Sequence, residues 1–458
     1  MFARASFLRL GLADFFICAS VCGGLGAAEK GAESDGPPTA PERGSDGLPK
    51  YRHPYKDGLY STVTAMNMFP DLEVKGQKKI RLKVPGFRKE VPVYATLQDN
   101  RAPLVVVLLG VDGKVDGPWG CLFPYWYNQY AYNVLTFDST FTPRYPEICG
   151  QGVVGNFDAE ADQVAAIIAA FLNTDEAKRC VTDVGVLGMS FGGSQALLLA
   201  AKAKEGKLPF ALSGCLALSP PVKIRTAART VDRFFVEDRW ETTMIELAKR
   251  FATHAPVAEG QKIPFAPTEM RAAIGFVFRD GFMNVVERND RFYKLKILPE
   301  EGNGENRSTW AEAVGFGYFM DKFTFPYWQK KGAVKSVDEL WEMTDLAKVL
   351  PRLPDYAQAI VTENDPFNAP EELADAKAAD VNKRLIALPM GGHLGYAASD
   401  WMLVKALRIF DLRPKQGAPE IEVDDKRTPD QARKEALDAV KEALNREVPP
   451  ADAKKQKP

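Results

Sequence analysis

The run Val184-Gly185-Val186-Leu187 leads into Gly188-Met189-Ser190-Phe191-Gly192-Gly193, and an alanine- and leucine-rich stretch, Ala196 to Ala203, follows directly. A serine at the apex of a Gly-x-Ser-x-Gly turn between a strand and a helix stands clear of the sheet. The flanking glycines let the two backbones pass without a Cβ clash. The start of the helix points free N–H groups at any negative charge that develops beside the serine. The chemistry this pattern suits is attack by Ser190 Oγ on a carbonyl carbon.

A serine alcohol is a poor nucleophile at neutral pH and needs a base, with a third group to orient that base. The chain has three histidines. His53 precedes the predicted sheet, and His254 lies where regular alternation has stopped. His393 follows the last predicted strand, inside Gly391-Gly392-His393-Leu394-Gly395. A single histidine is often a surface or satisfied core residue, but this position and its glycines make His393 the candidate base. The acid is expected after the preceding strand. Asp365 sits just beyond Ala359-Ile360-Val361-Thr362 and before Pro366, while its competitor Glu363 abuts the strand. An oxyanion would need two donors. The candidates are the backbone N–H groups of Phe191 and of Val111, the latter in the loop Gly110-Val111-Asp112-Gly113.

Those residues need a sheet to hold them. Leu104 to Leu109, Asn133 to Phe137, Val184 to Leu187, Leu212 to Leu218 and Ala357 to Thr362 read as buried strands, and Arg384 to Pro389 as the last of the series. Helical patterns alternate with them, notably residues 157–172, whose Asp158, Glu160 and Asp162 fall in the first turns, where the helix dipole favours acids. Alternation of this kind predicts an α/β fold, a mostly parallel sheet flanked by helices. Short alternating runs in residues 51–98 suggest antiparallel edge strands. The expected organisation is a secretory signal over 1–28, a Gly/Pro/Ser-rich linker over 29–50, and a core over 51–221. An aromatic, mainly helical inserted cap over 222–352 follows, then the rest of the core over 353–412 and a charged tail with an amphipathic helix over 413–458.

The region from about 80 to 411 resembles the α/β-hydrolase fold superfamily. Within it, the chain is similar to a bacterial and eukaryotic esterase branch with a Leu-His-Gly-Leu-Glu-Gly oxyanion loop. The corresponding stretches are Leu108 to Gly113, Gly188 to Gly192, Asn364-Asp365-Pro366-Phe367 and Gly391-Gly392-His393. The order Ser190, Asp365, His393 is that expected of the fold. Leu109 stands where the branch has histidine, and the long cap and Asp138-Ser139-Thr140-Phe141-Thr142-Pro143 also depart from it. The resemblance implies hydrolysis of an ester or related acyl bond in a small-molecule substrate, with no metal or organic cofactor.

Composition narrows the partners. The chain is 46% hydrophobic and carries 59 basic against 60 acidic residues, so no charge excess suggests nucleic acid. No uninterrupted apolar run reaches the length of a membrane span. Arg4 and Arg9 before Leu10 to Val21, with Gly26-Ala27-Ala28 after, predict export to the periplasm or medium. Cys22 follows Ala19-Ser20-Val21, a poor match to a lipid-anchoring sequence. Cys121 and Cys149, both expected in loops after neighbouring strands, could be bridged or free. Gly150-Gln151-Gly152-Val153-Val154-Gly155 matches a dinucleotide-binding pattern, but a proline-broken loop precedes it where a strand is required, so a flexible loop near the site mouth is expected. The cap aromatics, with Trp119, Phe123, Tyr125, Trp126 and Tyr127, suggest an apolar acyl or aryl group. Two other readings remain open: a peptidase of the same fold using Glu237 and Asp238 to hold an amine, and a non-catalytic envelope-associated binding protein.

Overall fold

Strands apolar at every position must be covered on both faces, and the architecture follows from that requirement. The structure, a computed structural model, describes residues 48–53, 55–67, 72, 74–235, 250, 263–297 and 314–412. The expected signal, nearly all of the linker, the charged tail, His254, Glu237 and Asp238 lie outside the described residues. Eight strands form one sheet: β1 Lys78–Leu82, β2 Val91–Thr96, β3 Ala102–Leu108, β4 Asn133–Thr136, β5 Val181–Met189, β6 Gly214–Leu218, β7 Ala357–Thr362 and β8 Leu385–Leu388. Their order is β1-β2-β4-β3-β5-β6-β7-β8. The two pairings made by β2 are antiparallel and all others parallel.

The described helices of eight residues or more are α1 Gly58–Asn67, α2 Pro118–Gln129, α3 Phe157–Leu172, α4 Phe191–Lys204, α5 Ile224–Phe234, α6 Pro267–Tyr293, α7 Pro370–Ala379 and α8 Asp400–Leu407. Successive side chains of a strand face opposite ways. Leu104, Val106 and Leu108 of β3 therefore pack with Ile167 and Phe171 of α3 and Leu198 of α4. Val105 and Val107 pack on the other side with Phe123 and Tyr127 of α2 and Trp401 and Met402 of α8. Each such fully buried Leu, Val or Phe contributes about 1.5–3 kcal/mol. No helix among the described residues is long and apolar enough to cross a membrane.

Several expectations change. Residues 58–67 form α1 rather than an edge strand, and the buried Leu48 shows that packing starts before residue 51. Cys121 lies within α2, Cys149 ends the short helix Tyr145–Cys149, and both are unbridged. Burial pushes the Cys149 thiol up to about 11. Phe123 and Tyr127 serve the core, with the Tyr127 hydroxyl donating to Ala406 O at 2.7 Å.

The 150–155 loop is a socket rather than a flexible mouth. Its Val153 and Val154 are buried. Trp328 Nε1 donates to Val153 O at 2.8 Å and Thr324 Oγ1 to Val154 O at 2.9 Å. A Cβ on Gly152 would sit 2.2 Å from the Trp328 ring, which is why the position excludes a side chain. The segment between β6 and β7 thus docks on this loop. Among its described residues, Phe276, Phe282, Phe316, Phe319 and Trp328 are buried in the core, as in the Phe282–Phe316 stack at 3.7 Å. Asp232 of α5 ties the segment together, accepting from Arg279 Nη1 at 2.7 Å and from the Phe316 N–H at 2.8 Å.

The three acids of α3 divide. Asp158 and Asp162 pair with Lys202 at 2.9 and 2.7 Å. Glu160 instead turns inward, accepting from Gly155 N at 2.5 Å and Thr140 Oγ1 at 2.8 Å, and burial pushes its carboxyl up to about 7. The fold therefore keeps this proton to higher pH than the unfolded chain does. The associated stability is complete below pH 4.5 and is lost as pH rises through about 7. Melting temperature measured across that window should fall with a slope that Glu160→Gln removes, the total loss of stability being on the order of 3 kcal/mol. A slope unchanged in the variant would contradict this assignment.

Candidate active site

Ser190 sits between the end of β5 and the start of α4 with φ 53° and ψ −121°, a backbone conformation that residues other than glycine rarely adopt. Its N–H donates to Leu218 O at 2.8 Å, and its carbonyl accepts from Gly193 N at 2.9 Å. A Cβ on Gly188 would lie 2.1 Å from Gly192 O, and one on Gly192 would lie 2.4 Å from Leu108 O. The turn therefore closes only with glycine at both positions.

The structure brings the three sequence-predicted residues together. His393 Nε2 lies 2.9 Å from Ser190 Oγ, and His393 Nδ1 lies 2.8 Å from Asp365 Oδ2. The second carboxylate oxygen, Oδ1, accepts from the Phe367 N–H at 2.9 Å. All three side chains are largely withdrawn from solvent, which makes their mutual hydrogen bonds obligatory. Glu363 points elsewhere and pairs with Lys377 at 2.6 Å. His53 also lies apart: its Nε2 is 2.9 Å from Ser61 Oγ, and burial lowers its pKa to about 4.

The two expected oxyanion donors flank the same cavity. Phe191 is the first residue of α4, and Val111 lines the cavity with Ser190 and Phe191. Gly110 packs against the serine, since a Cβ there would lie 3.4 Å from Ser190 Cβ. The loop is braced by Asp112 N donating to Phe141 O at 3.0 Å and Ser139 N donating to Gly113 O at 2.9 Å. Leu109 is buried in the core on the α2 side of the sheet.

Sequence reasoning missed the residues that hold the histidine loop. Thr62 Oγ1 of α1 accepts from the His393 N–H at 2.9 Å and donates to Gly58 O at 2.7 Å. Asn364 accepts from Gly392 N at 2.9 Å and donates to Lys56 O at 3.0 Å. Thr362 Oγ1 donates to Gly392 O at 2.8 Å, and Ser219 Oγ accepts from Leu394 N at 3.2 Å. Asn364 was visible beside Asp365, but nothing local marked Thr62, which lies 331 residues from His393.

A mostly parallel sheet with a strained serine turn after β5, an acid after β7 and a histidine after β8 defines an α/β hydrolase architecture. The chain belongs to the alpha/beta hydrolase family, whose model matches residues 106–403. No curated protein matches it. Solved structures similar to it include a hyperthermophilic esterase from the archaeon Pyrobaculum calidifontis, 14% identical with a TM-score of 0.40, covering 78% of this chain and 88% of that one. The alpha/beta hydrolase GrgF from Penicillium sp. sh18 is 13% identical with a TM-score of 0.41, covering 74% and 98%. A membrane phospholipase A described as a bacterial virulence factor is 14% identical with a TM-score of 0.39, covering 77% and 89%.

Thr62→Val leaves the buried His393 N–H without its acceptor, whereas Thr62→Ser keeps it. Labelling of Ser190 by a serine-directed fluorophosphonate should slow about tenfold or more in the valine variant and recover in the serine variant. Equal slowing in both, or none in either, would remove Thr62 from the positioning of His393.

Proposed function

We propose that this hydrolase is a serine hydrolase that cleaves an ester or related acyl bond through a Ser190–His393–Asp365 triad. The observation that carries the reading is the continuous pair of short hydrogen bonds from Ser190 Oγ through both imidazole nitrogens to the Asp365 carboxylate. Ser190 Oγ attacks the acyl carbonyl carbon while His393 Nε2 takes the hydroxyl proton. Asp365 holds the tautomer with hydrogen on Nδ1 and offsets the positive charge that the imidazole gains. Phe191 and Val111 supply backbone N–H groups to the oxyanion. The imidazolium then gives its proton to the leaving oxygen or nitrogen, leaving an acyl-Ser190. Water, deprotonated by the same histidine, attacks that ester and releases the acid and the free serine.

The arrangement of chemistry-bearing groups asks for no metal or organic cofactor. The proposal extends to location: the basic and then apolar stretch before Ala28 argues for export to the periplasm or medium. Ester hydrolysis is the preferred reading because the described side chains that line the cavity beside Ser190 are apolar apart from Ser190 and His393, which suits an apolar acyl group.

A fluorophosphonate probe should label the wild-type protein and leave Ser190→Ala unlabelled. Ser190→Ala and His393→Ala should each lower kcat on p-nitrophenyl esters about 10⁴-fold or more, and Asp365→Asn about 10³–10⁴-fold. Probe labelling that persists in Ser190→Ala would refute the triad. Faster turnover of aminoacyl-p-nitroanilides than of esters would instead favour the peptidase reading.

A further inference from the structure

We infer that Glu160 is a positioning residue for the oxyanion loop: its carboxyl group ties the 138–143 turn, which braces that loop, to the nucleophile helix α4 and to the 150–155 socket. The inference rests on the serine hydrolase reading and adds a residue that acts on the same site from behind it. The brace comes first. Ser139 N donates to Gly113 O at 2.9 Å, and Asp112 N donates to Phe141 O at 3.0 Å. Val115 N adds a third bond, to Asp138 Oδ1 at 3.0 Å. Val111, the expected oxyanion donor, lies between Gly110 and Asp112, so these bonds fix the backbone that carries its N–H. Asp112 holds φ 51°, a conformation that a residue other than glycine keeps only under outside support. Thr140 stands between the two bracing residues, Ser139 and Phe141.

Thr140 is itself held by side chains from two helices. Its Oγ1 donates to Glu160 Oε2 of α3 at 2.8 Å and accepts from Gln195 Nε2 of α4 at 2.6 Å. Gln195 lies in the second turn of the helix that Ser190 precedes. The other carboxyl oxygen of Glu160 accepts from Gly155 N at 2.5 Å. Gly155 ends the socket on which the segment between β6 and β7 docks, through Trp328 and Thr324 and through Val154 N, which donates to Asn289 Oδ1 at 3.3 Å. Thr140, Glu160 and Gln195 are all buried, so a partner lost here is not replaced from bulk water. One carboxyl group thus joins the brace, the nucleophile helix and the socket.

The residue type fits this role. The groups around the Glu160 side chain are donors: a backbone N–H, a hydroxyl and an amide N–H. An amide side chain offers them one acceptor oxygen, whereas a carboxylate offers two, one for the socket and one for the brace. Burying an acid is costly, and among the described residues no cation offsets that cost at Glu160. An apolar residue of similar size would fill the same space without the penalty. What the acid adds is a fixed separation between two donors that belong to different elements.

The test uses the full chain at about pH 8, above the value near 7 to which burial pushes the Glu160 carboxyl. Glu160→Gln keeps an acceptor for Gly155 N but turns an amide N–H toward Thr140, Thr140→Val removes the hydroxyl, and Thr140→Ser keeps it. On p-nitrophenyl acetate, kcat should fall about tenfold or more in Glu160→Gln and in Thr140→Val, with KM within about twofold, and recover in Thr140→Ser. A trifluoromethyl ketone, which forms an oxyanion on Ser190, should bind more weakly by the same factor as kcat/KM falls. Combining Glu160→Gln with Thr140→Val should cost little more than either alone, because both cut one link. Unchanged kcat in both variants, equal losses in Thr140→Val and Thr140→Ser, losses confined to KM, or undiminished ketone affinity in the slowed variants would each overturn the inference. Should Glu160→Gln fail to fold, the two Thr140 variants decide alone. Fluorophosphonate labelling of Ser190 in the wild type leaves the triad standing whichever way these results fall. A wild type that is never labelled overturns the triad reading, and the role of Glu160 with it.

Discussion

The site depends on one backbone constraint: Ser190 must hold a positive φ at the junction of β5 and α4. That conformation costs a non-glycine residue on the order of 1–3 kcal/mol. It persists because the surrounding structure leaves no alternative. Ser190 N is held by Leu218 O of the neighbouring strand, Ser190 O caps the first turn of α4, and Gly188 and Gly192 touch across the bend. Relaxing the turn would break the β5–α4 crossover at the centre of the sheet, so the burial of β5 and α4 offsets the strain. The reward of that geometry is a hydroxyl aimed off the sheet, within 2.9 Å of an imidazole.

A second layer of constraints places the partners. Asp365 and His393 come from turns after β7 and β8, which pair in register from Ala359–Leu385 to Thr362–Leu388. That register brings the two turns side by side. The histidine loop is then held residue by residue: by Thr362 and Asn364 at Gly392, by Thr62 of α1 at His393 and by Ser219 at Leu394. Helix α1 lies before the region matched by the family model, so part of the support for the site comes from outside the segment that identifies the fold.

The contrast between what could and could not be read in advance has a physical basis. Ser190, Asp365 and His393 were legible because each lies in a turn whose local composition announces it, and because buried parallel strands are continuous apolar runs. The parallel order of the sheet followed from the same runs. Helix α1 was not legible: it is a short helix, and its Thr62 meets a loop more than three hundred residues away in the chain. The 150–155 loop was misread because glycine spacing carries no record of what fills the space above it, here Trp328 and Met320. Phe123 and Tyr127 of α2, expected near the substrate, serve the core, since an aromatic run looks the same in either role. Glu160 shares the first turns of α3 with Asp158 and Asp162, and helix position alone does not show which of the three side chains turns inward.

The central claim is that Ser190 becomes acylated during turnover, and the acyl-enzyme itself is the most direct witness. Rapid acid quench during the first turnover of a p-nitrophenyl ester, followed by peptide mass mapping, should find the acyl mass on the peptide containing Ser190. An ester consumed with no acyl adduct, or with the adduct on another residue, would contradict the account.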